Sequence, residues 1–381
     1  MKIVHIALNY IDGWGYQENL LPLYQQTAGH KVTVVSDNHH YKCIHNDSLI
    51  EQINSRGNEY TYDGIKIYRI KTYLNTSISS FLCRGLYDVL EREQPDMIFQ
   101  HDLNTSTLSV AAKYKRHHPD VKLYVDNHAD WINESKNRFW HLFFYDFLIP
   151  YQIKRLGDIV DNYIGVSPLR CKYLNKVFRV NDSKIKFLPI GCDTAEVDNI
   201  TDSEEKIRTQ YNIPNNSFIV VSGGKLDRAK GTLELINACR DLTSKEKIHL
   251  ILFGKIDDEV KEKASQYKWI TMLGWCNRQE TLSLLKISDV ACWPWLHTTL
   301  IEDSIAAGIP LVVKMSDNVS HFSKEKAGVF MTLGDSEEIS KAIIEIKNNY
   351  DVYKENVIKA KNKYSYNNLV KLLDDNIFCT T

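Results

Sequence analysis

The sequence predicts an α/β protein built from two doubly wound parallel sheets, each covered by helices on both faces. Three observations carry this. Short apolar runs alternate with amphipathic stretches along the whole chain, the pattern of strands buried on both faces and joined by crossover helices. The apolar runs number more than about a dozen, too many for one ordinary open sheet. A polar, acidic, aperiodic stretch at 193–202 separates them into two groups.

The first group reads as strands at 3–8, 31–36, 65–70, 97–100, 121–125, 163–166 and 185–189. The second reads as strands at 218–222, 248–253, 270–273, 290–293, 310–313 and 329–331. The organisation expected is a Rossmann-like domain over 1–195, a second over 196–360, and a C-terminal helix within 361–381 that packs back toward the first. Ligands of open α/β sheets bind beyond the carboxyl ends of the strands, so strand-end residues of both halves should face a common cleft.

Bulk properties narrow the function. The formal net charge of −1 over 381 residues gives no electrostatic case for nucleic acid. The N-terminal apolar run reads as a first strand, not a signal peptide, and no run is long enough to cross a membrane. The eight cysteines contain no C-x-x-C pair, which points to a reducing cytoplasm and away from structural zinc or a disulfide framework. No D-x-D occurs, so a local paired-carboxylate metal site is not expected.

The most informative stretch is Gly223-Gly224-Lys225-Leu226-Asp227-Arg228-Ala229-Lys230-Gly231, between an apolar run and a helical pattern. Glycines let a ligand approach the backbone. A helix start offers free N–H groups and a positive dipole end, and two ammonium groups there suit a diphosphate. Solvated lysines on an ordinary loop are the competing reading.

Three further constellations stand at expected strand ends. Gly13 and Gly15 follow the first strand, and Asp37 ends the second. This is half of a dinucleotide fingerprint with Glu18 where a third glycine belongs, so a nicotinamide-dependent oxidoreductase is the alternative to keep. His101 and His128 end the fourth and fifth strands, where an imidazole can donate to a substrate hydroxyl or exchange protons near neutral pH. The polar setting Asp126-Asn127-His128-Ala129-Asp130 favours a function for His128, while His101 stays open. After 290–293 come His297, Thr298 and Thr299, then Glu302 and Asp303 one turn into a helix closed by Gly308 and Pro310. One of the two acids is positioned to take both hydroxyls of a ribose.

The segment 138–155 is unusually aromatic, with Trp140, Phe143, Phe144, Phe147 and Tyr151 at helical spacing. A core-facing helix is the favoured reading. An interfacial helix docking on a bilayer or meeting a lipid-linked acceptor is the other, with Arg170, Lys172, Lys176, Arg179, Lys184 and Lys186 nearby.

These landmarks, in this order, resemble the retaining glycosyltransferases of the GT-B fold, family 4, over nearly the whole chain. Gly29-His30-Lys31, Val166-Ser167 and Leu188-Pro189-Ile190-Gly191-Cys192-Asp193 match its landmarks, as do Gly224-Lys225, Lys230-Gly231 and Gly308-Ile309-Pro310. The resemblance implies two Rossmann-like domains facing a cleft. It implies an activated sugar donor, most often a UDP-sugar, as substrate, with no cofactor and no metal. Lys225 and Lys230 would neutralise the departing diphosphate, and His128 would lie at the donor sugar and reaction centre. Gly13, Gly15 and Gly224 would border the diphosphate, with Thr298, Thr299, Glu302 and Asp303 in the nucleotide-sugar site. The family carries two glutamates eight apart. Here Asp303 falls at the second position, Glu302 lies one residue out of register, and the first glutamate is missing. His297 stands as its replacement in reading the sugar. The expectation is a cytoplasmic enzyme, peripheral at the inner face of the membrane, that extends a surface polysaccharide or lipid-linked glycan. A non-catalytic nucleotide-sugar-binding protein on the same scaffold is the remaining alternative.

Overall fold

A computed structural model of the protein describes all residues except 9, 39–46, 76–79, 104, 133–136, 245 and 381. The chain divides into two compact units: residues 1–190 with 369–381, and residues 191–368. The junction read from the sequence, 195/196, lies inside the short helix Thr194–Asp198 of the second unit, which Asp193 caps.

The first unit is built on strands β1 (Lys2–Ile6), β2 (Lys31–Asp37), β3 (Glu59–Tyr62), β4 (Ile65–Asn75), β5 (Ser80–Arg84), β6 (Met97–Gln100), β7 (Lys122–Asn127), β8 (Asn162–Gly165) and β9 (Ile185–Phe187). The sheet order is β3-β4-β2-β1-β6-β7-β8-β9, with β5 paired onto β4. From β2 to β9 all neighbours run parallel. The departure is the edge, where β3 and β5 both pair antiparallel with β4. Asp63 and Gly64, both at positive φ, make the two-residue turn that closes the β3–β4 hairpin. The core packs the apolar side chains of these strands, such as Val4, Ile98 and Leu123, against helices, including Leu108 of the helix Thr105–His117, all almost wholly excluded from solvent.

Residues 369–381 complete this unit. Asp374 meets His30 at 2.9 Å. The Tyr124 hydroxyl donates to Asn376 at 2.8 Å. The Cys379 N–H donates to the Phe187 carbonyl on β9 at 3.0 Å.

The second unit holds strands β10 (Phe218–Leu226), β11 (Ile248–Ile256), β12 (Ile270–Leu273), β13 (Val290–Trp293), β14 (Leu311–Lys314) and β15 (Gly328–Met331). Their order is β12-β11-β10-β13-β14-β15, all parallel. These are the six runs read from the sequence for this half. Two Rossmann-like parallel sheets are thus present.

The aromatic segment departs from the favoured reading. Over His141–Leu148 the chain winds as a π-helix in which no residue is buried. Phe144 and Tyr145 pack partly against the core, but Phe143, Phe147 and Tyr151 are exposed. The side chain of Trp140 lies outside the described residues. The burying face is instead set by Ile149, Ile153 and Leu156 of the following helix.

Candidate active site

Each sheet reverses direction at one point. In the first, the chain steps one way from β1 through β2 and the other way from β6 onward, so the switch lies between β1 and β6. In the second it lies between β10 and β13. Loops diverge at such points and leave a crevice at the carboxyl ends of the strands. The candidate residues of each unit gather at its own switch point.

In the first unit Gly13 follows β1 at φ +76°, a backbone conformation that costs glycine little. A Cβ there would lie 2.9 Å from the Tyr62 hydroxyl. Gly15 lies two residues on, outside the left-handed region. Asp12 anchors this loop. Its buried carboxylate pairs with Arg69 at 3.0 Å, with Arg56, and with the Tyr60 hydroxyl. Arg69 also donates to the Tyr10 carbonyl at 2.6 Å.

His101 and His128 meet across one carboxylate. Asp126, the penultimate residue of β7 and fully buried, has Oδ2 2.8 Å from His101 Nδ1 and 3.4 Å from His128 Nε2. Its Oδ1 accepts the Asp102 N–H at 2.8 Å. The chain of polar contacts continues inward: His101 Nε2 lies 3.0 Å from His5 Nδ1, and His5 Nε2 lies 2.6 Å from Gln25 Oε1. Two proton arrangements fit, related by a turn of the Gln25 amide. In both, a His101 N–H points at Asp126.

The electrostatics follow from burial and these pairings. Burial would push Asp126 up, but the two imidazoles outweigh it and hold the carboxyl well below the usual range. Burial would lower His128, but Asp126, with Asp102 and Glu18 adding, raises it to about 9. Burial and the neighbouring His101 push His5 down to about 3, so it is neutral. His128 therefore carries a charge at neutral pH. Its backbone is held as well: Arg170 donates to the His128 carbonyl at 2.9 Å and pairs with Asp130 at 3.3 Å.

His101, Asp126 and His128 also lie close enough together to hold a metal ion, with ligand atoms within 4.8 Å of one another. Both nitrogens of His101 are already engaged, to His5 and Asp126, so a cation would have to break that chain.

In the second unit Lys225 and Lys230 flank Asp227. Lys225 is exposed and 3.0 Å from the Asp227 carboxylate. The other Asp227 oxygen accepts the Lys230 N–H at 3.1 Å, capping the short turn Arg228–Lys230 before the helix Thr232–Thr243. Burial lowers the Lys230 ammonium from its ordinary value, and the Lys225 charge adds to this against Asp227. An anion bound between the lysines would reverse that. The loop packs directly on the β13 loop. The Gly224 Cβ position lies 3.5 Å from Leu300, and that of Gly231 lies 2.9 Å from Pro294 and 3.0 Å from Trp295. Trp295 in turn donates to the Gly334 carbonyl at 2.9 Å.

The two adjacent acids have different partners. Asp303 accepts from Arg278 at 2.6 Å, and the same guanidinium reaches Glu196 at 2.8 Å. Burial raises Asp303 against that pairing. Glu302 is buried, with Oε1 3.0 Å from His297 Nε2. Its Oε2 is buried with no hydrogen-bond partner among the described residues. A buried carboxylate oxygen left unpaired is costly unless a ligand completes it. Thr298 lies half-buried with its Oγ1 3.5 Å from the Leu300 N–H, and Thr299 is exposed at the helix start.

The structure thus gathers Gly13, His101 and His128 around the first switch point, and Lys225, Lys230, Glu302, Asp303 and His297 around the second. Sequence reasoning assigned no role to Asp126, His5, Asp12 or Arg278. The adjacent Asp126 and His128 carried a usable signal. Arg278, distant in sequence from Asp303, carried none.

The family described as Glycosyl transferases group 1 matches residues 203–364. The family described as Glycosyltransferase Family 4 matches residues 21–196. Among curated proteins none matches. Among solved structures, a glycosyltransferase from Rickettsia africae is similar at 14% identity, with 98% of this chain and 97% of that one covered and a TM-score of 0.67. HepE from Anabaena, solved in complex with UDP, is similar at 15% identity with 99% of each chain covered and a TM-score of 0.67. A sucrose-phosphate synthase from Thermosynechococcus elongatus is similar at 14% identity, with 98% and 97% covered and a TM-score of 0.63. With most of its length accounted for by the two family matches, the chain belongs to the group 1 glycosyltransferases and has their GT-B fold.

Proposed function

We propose that the chain transfers a sugar from a UDP-sugar to a glycan or lipid-linked glycan in surface polysaccharide assembly, with retention of anomeric configuration. The observation that carries the donor side is the second switch point. Two lysines stand on a loop that touches the segment 294–300, and a buried carboxylate with one unpaired oxygen stands in the helix that follows it. Lysines suit a diphosphate, and a carboxylate suits the vicinal hydroxyls of a ribose. Glu302 is the ribose acid in this reading, because Asp303 is committed to Arg278.

The nucleotide-sugar is a substrate, and no cofactor is invoked. Lys225 and Lys230 do the work a divalent cation would do elsewhere. They stabilise charge that grows on the departing diphosphate as the anomeric C–O bond breaks, while the acceptor hydroxyl bonds to the anomeric carbon and gives its proton to the departing phosphate. His128, an imidazolium held by Asp126, is the first unit's candidate N–H donor for the reaction. HepE, solved with UDP, supports the choice of base. Retention rests on the likeness to retaining family members.

The test is turnover. The purified chain is offered a panel of UDP-sugars with glycan and polyprenyl-linked acceptors, and the product anomer is read by NMR. Transfer with an α-linked donor giving an α-linked product supports the reading. Binding of UDP-sugars without transfer or hydrolysis would make it a binding protein on the same fold. Tight NADH binding with no UDP binding would return the oxidoreductase reading.

A further inference from the structure

The aromatic segment leaves a surface the transfer reaction does not use. Phe139 is 77% exposed and Phe147 60%, with Leu142, Phe143 and Tyr151 also open to solvent. Their rings are ordered among themselves. Phe139 stacks on Phe143 with centroids 6.5 Å apart, and Phe147 on Tyr151 at 6.0 Å. The comb is rooted in the core through Tyr145, which stacks on Phe178 at 6.0 Å. Phe178 meets Tyr173, and Tyr173 meets the half-exposed Trp131 at 5.0 Å. Tyr173 and Phe178 are themselves buried, so these rings tie the segment through the core to the helix Pro168–Lys176.

Its charge is predominantly positive, with Asp158 an exposed acid just beyond it. Arg138, Lys154 and Arg155 lie along the segment, whose one acid, Asp146, faces His141 at 3.2 Å. Lys172, Lys176 and Arg179 are exposed on the adjoining stretch, and the sequence from Asn162 to Asn181 contains no acid.

From these observations we infer that the face formed by residues 138–155 is a membrane-docking surface for an anionic bilayer. Aromatic rings anchored at their roots and bare at their tips suit the headgroup–acyl boundary, and a basic rim suits anionic headgroups. A second copy of the chain fits poorly, because a two-fold contact would bring like rims together. None of the described helices is long and apolar enough to cross a membrane, so the contact is peripheral. The inference stands whether or not the donor is a UDP-sugar. It adds a reason for the acceptor to be lipid-linked.

The experiment is vesicle flotation of the full chain, with phosphatidylcholine alone and with phosphatidylcholine mixed with phosphatidylglycerol. The result expected is at least about tenfold more binding to the anionic vesicles, falling at high salt. Phe143→Ser with Phe147→Ser should reduce binding about tenfold or more, with circular dichroism and any UDP-induced thermal shift unchanged. Lys154→Glu with Arg155→Glu should remove the preference for anionic vesicles. Absent binding to both vesicle types, or binding that the double serine variant leaves intact, overturns the inference. So does a dimer in solution that this variant disperses, which would make the face a self-interface. A failed UDP shift with intact flotation would count against the donor assignment alone.

Discussion

Glu302 and His297 hold each other: one carboxylate oxygen lies 3.0 Å from the imidazole Nε2, while the other oxygen is buried without a partner. The sequence reading set His297 in place of a missing sugar-reading glutamate. The geometry gives it a second task, that of orienting Glu302, the acid proposed to take the ribose.

Glu302→Gln should therefore weaken UDP binding by about tenfold to a hundredfold, the loss of a charge-assisted hydrogen bond. Asp303→Asn should leave UDP affinity within about threefold and lower stability by about 1–2 kcal/mol through the Arg278 contact. Calorimetric titration with UDP, beside thermal melts of each variant, checks both. The reverse pattern would exchange the roles of the two acids.

Lys230→Ala should lower kcat by about a hundredfold to a thousandfold, as removal of a group that stabilises developing charge does. Lys230→Arg should keep more of the rate than alanine does. Near-normal turnover in the alanine variant would detach the diphosphate from this loop.

The pH dependence turns on His128. Its folded value is raised from 6.5 to about 9. The stabilisation gained from its charge is complete below the unfolded value and is lost as the pH climbs through about 9. Activity should fall on the alkaline side with an apparent pKa near 9. Asp126→Asn should move that fall down toward about 6.5, because the charge that raises the imidazole is gone. NMR titration of the His128 ring separates this from simple unfolding. An unmoved alkaline limb would assign it to another group.

Gly231→Ala should cost about 1–3 kcal/mol. The residue sits at φ +73°, and its Cβ would press on Pro294 and Trp295. Gly274→Ala, with open space around it, should stay within about 0.5 kcal/mol. Chemical denaturation of the two variants makes the comparison.

Much of this architecture is legible from periodicity. Parallel strands buried on both faces leave continuous apolar runs, and every strand of the second sheet was readable that way. Strands β3 and β5 beside β4 were not, because exposure dilutes their pattern, although the Asp63-Gly64 pair was a hairpin signal. The aromatic segment misled for a related reason. Its rings recur at helical spacing whether they face a core or an outside surface, and only Pro150 hinted at irregular winding. At the sites, the lysines and glycines were visible because they fall together in one short stretch between a strand and a helix. The Asp126–His101–His5 chain and the Arg278–Asp303 pair were not, since each joins residues distant in sequence that only the fold makes neighbours.

The tail that closes the first unit also fixes an order of manufacture. Strand β9 receives its Cys379 contact, His30 its Asp374 and Tyr124 its Asn376 only after every residue of the second unit has left the ribosome. Until then the nascent first half carries a bare strand edge beside an incomplete surface, a state open to mispairing and proteolysis. A chain ended after residue 190 should show rapid protease cleavage, slowed when a peptide of residues 366–381 is supplied in trans. Equal protection with and without the peptide would mean that the first half closes by itself.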